Sequence, residues 1–150
     1  MTIEKFWSNF LNHAKLNSNT KYYEASYFGD NKELANELLA LVLEGKKRAT
    51  ASLLKSYEAE GAEPPQIGSY SIITDWDGKP HCVIQTIAIT IIPFNEMTFE
   101  ICKSEGEDEC LETWQDGHRR CFTDEAEELG FIFTEDMEIL FEDFEVVYTA

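Results

Sequence analysis

Two runs of β-forming residues, Tyr70 to Thr74 and His81 to Ile92, flank Asp75-Trp76-Asp77-Gly78, and no other feature constrains the fold as strongly. Ile, Val and Thr dominate both runs, and Asp-Gly tolerates the positive backbone angles of a tight hairpin. An antiparallel ladder is therefore expected in the middle of the chain. The second run is long enough to bend around a barrel, and Pro93 stops it from pairing further. A third strand is expected from Ile139 to Tyr148, where Phe144, Val146 and Tyr148 alternate with Glu145 and Val147.

Helical patterns surround these strands. Thr2 can cap a helix in which Ile3, Phe6, Trp7, Phe10, Leu11 and Ala14 recur at helical spacing, a stripe that suits either a core or a dimer seam. After the polar break Asn17-Ser18-Asn19-Thr20, the cluster Tyr22, Tyr23, Tyr27 and Phe28 serves packing or lines a pocket able to stack a base. Asp30 with Glu33 resembles a capping box for a second helix, with Leu34, Ala35, Leu38, Leu39 and Val42 buried and an end at Gly45. Ala49 to Glu60 reads as a short helix with Leu53, Leu54 and Tyr57 inward, followed by a loop at Gly61 and Pro64-Pro65. Thr98 can cap a turn through Cys102, and Ser104 to Glu109 interrupts it. Leu111, Trp114, His118 and Phe122 then mark the inner face of another helix. Helices first, then antiparallel strands carrying a helical insertion, give an α+β fold with a small, strongly curved sheet or barrel.

Composition narrows the function. A chain of 150 residues with 43% hydrophobic content fits one globular domain. No apolar run approaches the roughly 20 residues that cross a bilayer, and the start Met1-Thr2-Ile3-Glu4-Lys5 lacks the pattern of a signal peptide, so a cytoplasmic location is expected. Cys82, Cys102, Cys110 and Cys121 contain no C-x-x-C pair and sit in periodic segments, which favours buried free thiols over disulfides or a metal site. No cofactor motif is present. Net charge is −17, and residues 96–145 hold 18 acidic against 3 basic side chains. Such a surface repels phosphate backbones, so long DNA or RNA is an unsuitable partner. A single nucleoside or a short RNA element remains compatible, because screening limits the repulsion to about 10 Å.

The chemically suggestive stretch is Glu44-Gly45-Lys46-Lys47-Arg48-Ala49-Thr50. A glycine closes a helix, cations follow its negative end, and a lysine precedes a threonine by three residues. An amine that sheds its proton on burial could activate the Thr50 hydroxyl as a nucleophile. A solvated basic turn at a helix end has the same composition.

Gly45-Lys46-Lys47-Arg48-Ala49-Thr50 matches the G-x-K-x-x-T signature of the ASCH domain family. Tyr27-Phe28-Gly29-Asp30, Ser56 to Gly61, Asp75 to Pro80, Glu105-Gly106-Glu107 with Leu111, Trp114 and His118, and the closing Phe144 to Tyr148 resemble its larger bacterial members. The likeness spans roughly residues 22–148, leaving residues 1–21 as an N-terminal helix and linker within one domain of residues 1–150. It implies a PUA-like small β-barrel, mostly antiparallel, with flanking helices, a cleft beside the lysine turn, and an association with RNA or nucleosides. The small ASCH-type amidohydrolases act on N(4)-acetylcytidine with a lysine and a threonine of the signature turn and a glutamate of the acidic segment. Those positions match Lys47, Thr50 and Glu107. Gly106 differs from the middle residue of those enzymes, and Gln115 stands where many larger relatives carry a basic residue.

The resemblance therefore implies catalytic roles for Lys47, Thr50 and Glu107, and ligand contacts from Tyr27, Gly45, Lys46, Arg48, Trp114 and His118. Two accounts of Lys47 stay open: a base for Thr50, or a static ion pair with Glu107 tying the helical insertion to the sheet. Two functions follow from them, a small hydrolase of acylated nucleosides and a non-catalytic RNA-binding module. A homodimer through the N-terminal aromatic helix is a third expectation.

Overall fold

The computed structural model describes all 150 residues. Five strands, β1 (Glu24–Ser26), β2 (Ala49–Leu53), β3 (Tyr70–Thr74), β4 (Pro80–Pro93) and β5 (Glu138–Thr149), form one sheet in the order β1-β3-β4-β5-β2. Five helices accompany them: α1 (Ile3–Ala14), α2 (Lys32–Leu43), α3 (Leu54–Glu60), α4 (Phe99–Cys102) and α5 (Leu111–Leu129). The fold is α+β, and with β1 and β2 left as edges the sheet is a half-barrel. The hairpin is as expected: β3 and β4 pair antiparallel, with Tyr70 opposite Gln85 and a bulge at Ile73/Thr74. β1 pairs with β3 in parallel and β2 with β5 antiparallel.

Three expectations need correction. Ala49–Leu53 is a strand, and the helix begins only at Leu54. The apolar spacing of Leu53, Leu54 and Tyr57 suits a helix, but pairing of residues 49–53 with Asp143 back to Ile139 overrides that local pattern. Asn31, not Asp30, caps α2, its side chain accepting from the Leu34 amide at 2.9 Å. Cys82 and Cys102 are buried, but Cys110 and Cys121 are exposed.

The chain divides into two compact units, Met1–Lys46 with Gln66–Ile87 and Phe144–Ala150, and Lys47–Pro65 with Ala88–Asp143. In the first, the two faces of the β3–β4 hairpin meet different helices. Ile72 and Val83 pack with Phe6, Trp7, Phe10 and Leu11 of α1, whereas Ile73, Cys82 and Ile84 pack with Leu39 and Val42 of α2. Burial on both faces explains why these strands read as near-continuous apolar runs. The aromatic stripe of α1 is core, with Phe10 edge-on to Tyr70 at 5.2 Å. In the second unit, Ala49, Leu53, Ile139 and Phe141 of the β2–β5 ladder pack against Phe94, Trp114 and Phe122. Each large side chain sealed here contributes about 1.5–3 kcal/mol, which is enough to hold the acidic α5 on the sheet despite its like charges. No helix is long and apolar enough to cross a membrane.

Candidate functional site

Lys47 opens the second unit, and its position follows from strand geometry. Side chains alternate along a strand. Ala49, Ala51 and Leu53 belong to the apolar cluster with Trp114, and their cross-strand partners Phe141 and Ile139 lie on the same face. Thr50 and Ser52 face the other way, opposite Glu142 and Leu140. Lys47 reaches to the Trp114 side, where its side chain is 1% exposed. Its ammonium donates to the Ala49 carbonyl at 2.8 Å, to Glu107 Oε2 at 2.6 Å and to Glu105 Oε1 at 3.5 Å. Three acceptors match the three donors of a charged lysine.

The two carboxylates arrive from one short segment. Lys103–Glu105 form a 3-10 turn, and Gly106 follows at φ 73, a left-handed angle at which a side chain would be strained. That reversal lets residues two apart in sequence approach the same ammonium. Glu105 is buried, whereas the Glu107 side chain is 24% exposed and meets solvent. The Arg48 amide donates to the Ser104 carbonyl at 2.8 Å, tying this segment to the lysine turn by backbone as well as by charge.

Glu105 is the hub of the site. One oxygen faces Lys47, and the other accepts from the Trp114 indole N–H and from His118 Nε2 at 3.3 Å. His118 Nδ1 in turn donates to the Trp114 carbonyl at 2.8 Å, and the imidazole stacks on the indole at 4.1 Å and 18°. With the Trp114 carbonyl at Nδ1 and the Glu105 carboxylate beside Nε2, a neutral tautomer would set a lone pair against an oxygen, so the surroundings favour the imidazolium form. Burial alone would push the Glu105 carboxyl up; the His118 hydrogen bond, the Lys47 charge and the indole N–H outweigh it and hold the group below its ordinary value. Burial likewise opposes charge on His118, and the Glu105 hydrogen bond and charge overcome it, raising its pKa. Glu107, Lys47, Glu105 and His118 thus form a chain of alternating charge with no net charge. No buried side-chain polar atom lacks a partner.

The other expected site residues are distributed as follows. Thr50 is half-buried, and its hydroxyl bonds to neither Lys47 nor Glu107; with no buried polar atom unsatisfied, that hydroxyl reaches solvent. Arg48 is exposed. In the first unit, Gly45 at φ 79 closes α2, Lys46 pairs with Glu44 at 3.2 Å, and Tyr27, 40% exposed, packs on Trp76 with centroids 4.7 Å apart. Lys47, Glu107, Trp114 and His118 are brought together. Glu105, which joins them, was not among the residues singled out from sequence. Its only signal is the Glu105-Gly106-Glu107 pattern within an acidic run.

The sheet, its lysine turn and the acidic helical insertion are those of a PUA-like fold. The chain belongs to the ASCH domain family, whose sequence model matches residues 24–148. It is similar to the ASCH domain from Lactobacillus crispatus JV V101, at 35% identity and a TM-score of 0.87, covering 97% of this chain and 93% of that one. It is also similar to a protein of Enterococcus faecalis V583, at 34% identity and a TM-score of 0.88, covering 97% and 87%. No curated protein matches it.

Proposed function

We propose that the protein binds a small nucleoside-type ligand at the Glu107 carboxylate. One observation carries this reading: Glu107 is held by a sealed lysine at 2.6 Å yet remains open to solvent. A carboxylate fixed in this way accepts from paired donors, such as the amino and imino groups of a base or the two hydroxyls of a ribose. Lys47 acts as the anchor, because its donors are already spent on protein acceptors. The net charge of −17 favours a nucleoside over a long phosphate backbone. Calorimetric titration with cytidine and N(4)-acetylcytidine tests this. Saturable binding that Glu107→Gln abolishes supports the reading, and heat unchanged by that substitution refutes it. Saturable binding of a short RNA that disappears when Lys46 and Arg48 are neutralised would instead identify an RNA-binding module.

A second reading, amide hydrolysis of an acylated nucleoside by Lys47, Thr50 and Glu107, is favoured by the solvent-reaching Thr50 hydroxyl. It requires Lys47 to surrender a proton from between two carboxylates, and a nucleophile on the far face of the strand to reach the same ligand. Release of free cytidine from N(4)-acetylcytidine by the native protein, lost in Thr50→Ala, establishes this activity; no release excludes it.

A further inference from the structure

We propose that Glu105 and His118 are positioning residues that hold Lys47, and through it Glu107, in the geometry that receives the ligand. The inference rests on the nucleoside-binding reading for its functional meaning and on the charge chain for its mechanism. Lys47 lies between two carboxylates at unequal distances, 2.6 Å to Glu107 and 3.5 Å to Glu105. What keeps it nearer the exposed partner is competition at Glu105, whose charge is already shared by the Trp114 indole and the His118 imidazolium. If His118 loses its proton, Glu105 has one cation left, and the ammonium moves toward the buried carboxylate. Glu107 then loses its fixed partner and swings into water. His118 is well placed for this role because its own side chain is only 18% exposed and both nitrogens are engaged by protein. It therefore acts through Glu105 and makes no ligand contact itself.

The groups that act on His118 come from several segments. Glu105 and Glu107 favour its charge from the 3-10 turn and the residues after it, and the lysine turn sets Lys47 beyond Glu105. On α5 itself, Arg119 is committed to Asp116 and Glu135. The carboxylates outweigh burial, so the relay is intact below the ordinary imidazole value of 6.5 and fails as pH rises through the raised value of His118. Ligand affinity should fall over that same interval.

The test uses the full chain and three readouts. Proton–nitrogen correlation of the His118 ring at pH 6 should show two N–H groups. A hydrogen-bond coupling between the Lys47 ammonium nitrogen and the Glu107 carboxyl carbon, read by NMR at pH 6, should be present in the native protein and lost in His118→Gln, because the ammonium has moved to Glu105. Cytidine should bind about tenfold more weakly to His118→Gln at pH 6, the loss expected for a missing charge-assisted contact, and native affinity should decline to a similar level at pH 9. Persistence of the Lys47–Glu107 coupling in His118→Gln, or a single ring N–H, overturns the proposal. If cytidine binds neither protein, the nucleoside reading fails, and the Lys47–Glu107 coupling alone decides the relay. Should His118→Gln fail to fold, the native pH series carries the same comparison, and Glu105→Gln, which removes the competing carboxylate, should keep Lys47 on Glu107 at every pH.

Discussion

Replacement of Lys47 by methionine isolates the energetics of the buried charge chain. Methionine has nearly the length of lysine and fills the same space, so the change removes an ammonium and little packing. It strips Glu105, 3% exposed, of one of its two cations and deprives the Ala49 carbonyl of its 2.8 Å donor. Glu107 contributes less, because water can take over at a side chain 24% exposed. Breaking a buried ion pair from one side costs about 3–5 kcal/mol, which for a chain of this size lowers Tm by about 6–20 °C. The double variant Lys47→Met with Glu105→Gln should recover most of that loss, since it leaves no orphaned buried carboxylate, the carboxamide still accepts from the Trp114 indole, and His118 can shed its proton. Urea unfolding at pH 6 and pH 7 for both singles and the double gives the coupling directly. A loss below about 1 kcal/mol in Lys47→Met, or a double variant as unstable as the two singles combined, would refute the account.

Further outcomes follow from the same structure. Glu105, with its folded value lowered from 4.5, contributes stability that is present above that pH and lost as pH falls through the folded value; His118, raised from 6.5, contributes stability present below 6.5 and lost as pH rises through its folded value. Thermal stability should therefore be greatest between those limits, with the alkaline decline absent in His118→Asn. Trp114→Phe keeps the aromatic stack near Phe94 but removes a donor from Glu105, and should cost about 1–3 kcal/mol by urea unfolding while sparing the overall circular dichroism. Iodoacetamide at pH 8 should label Cys110 and Cys121 and leave Cys82 and Cys102 unmodified until the chain is unfolded, because burial raises the latter pair to about 12 and about 11. Mass spectrometry counts the adducts. Phe10→Ala in the first unit should cost about 3–5 kcal/mol, since that ring packs against Trp7, Tyr70 and Tyr148.

Sequence patterning was most informative where local and long-range preferences agree. The stripe of α1, the inner face of α5 and the Asp75–Gly78 hairpin were legible because each repeats its period over several turns or strand residues. β1 was missed, since three residues at a sheet edge carry no periodicity. β2 was read as helix, and that error matters for the site. On a helix, positions 47 and 50 would share a face; on the strand that forms, Thr50 turns toward Glu142 while Lys47 reaches the Trp114 side. Glu105 was hidden among neighbouring acidic residues because nothing in composition distinguishes a buried carboxylate from a solvated one. Only its partners do, and they come from positions 47, 114 and 118. Cys121 escaped burial because it lies one residue off the stripe formed by Trp114, His118 and Phe122.

The place of β5 in the sheet has a consequence for synthesis on the ribosome. Ala49–Leu53 finds its backbone partners only in Ile139–Asp143, so the edge that follows the lysine turn stays unpaired while the intervening 85 residues are translated. Nascent chains arrested before residue 138 should present that segment to chaperones or proteases, and protection should arrive abruptly once the last strand clears the exit tunnel.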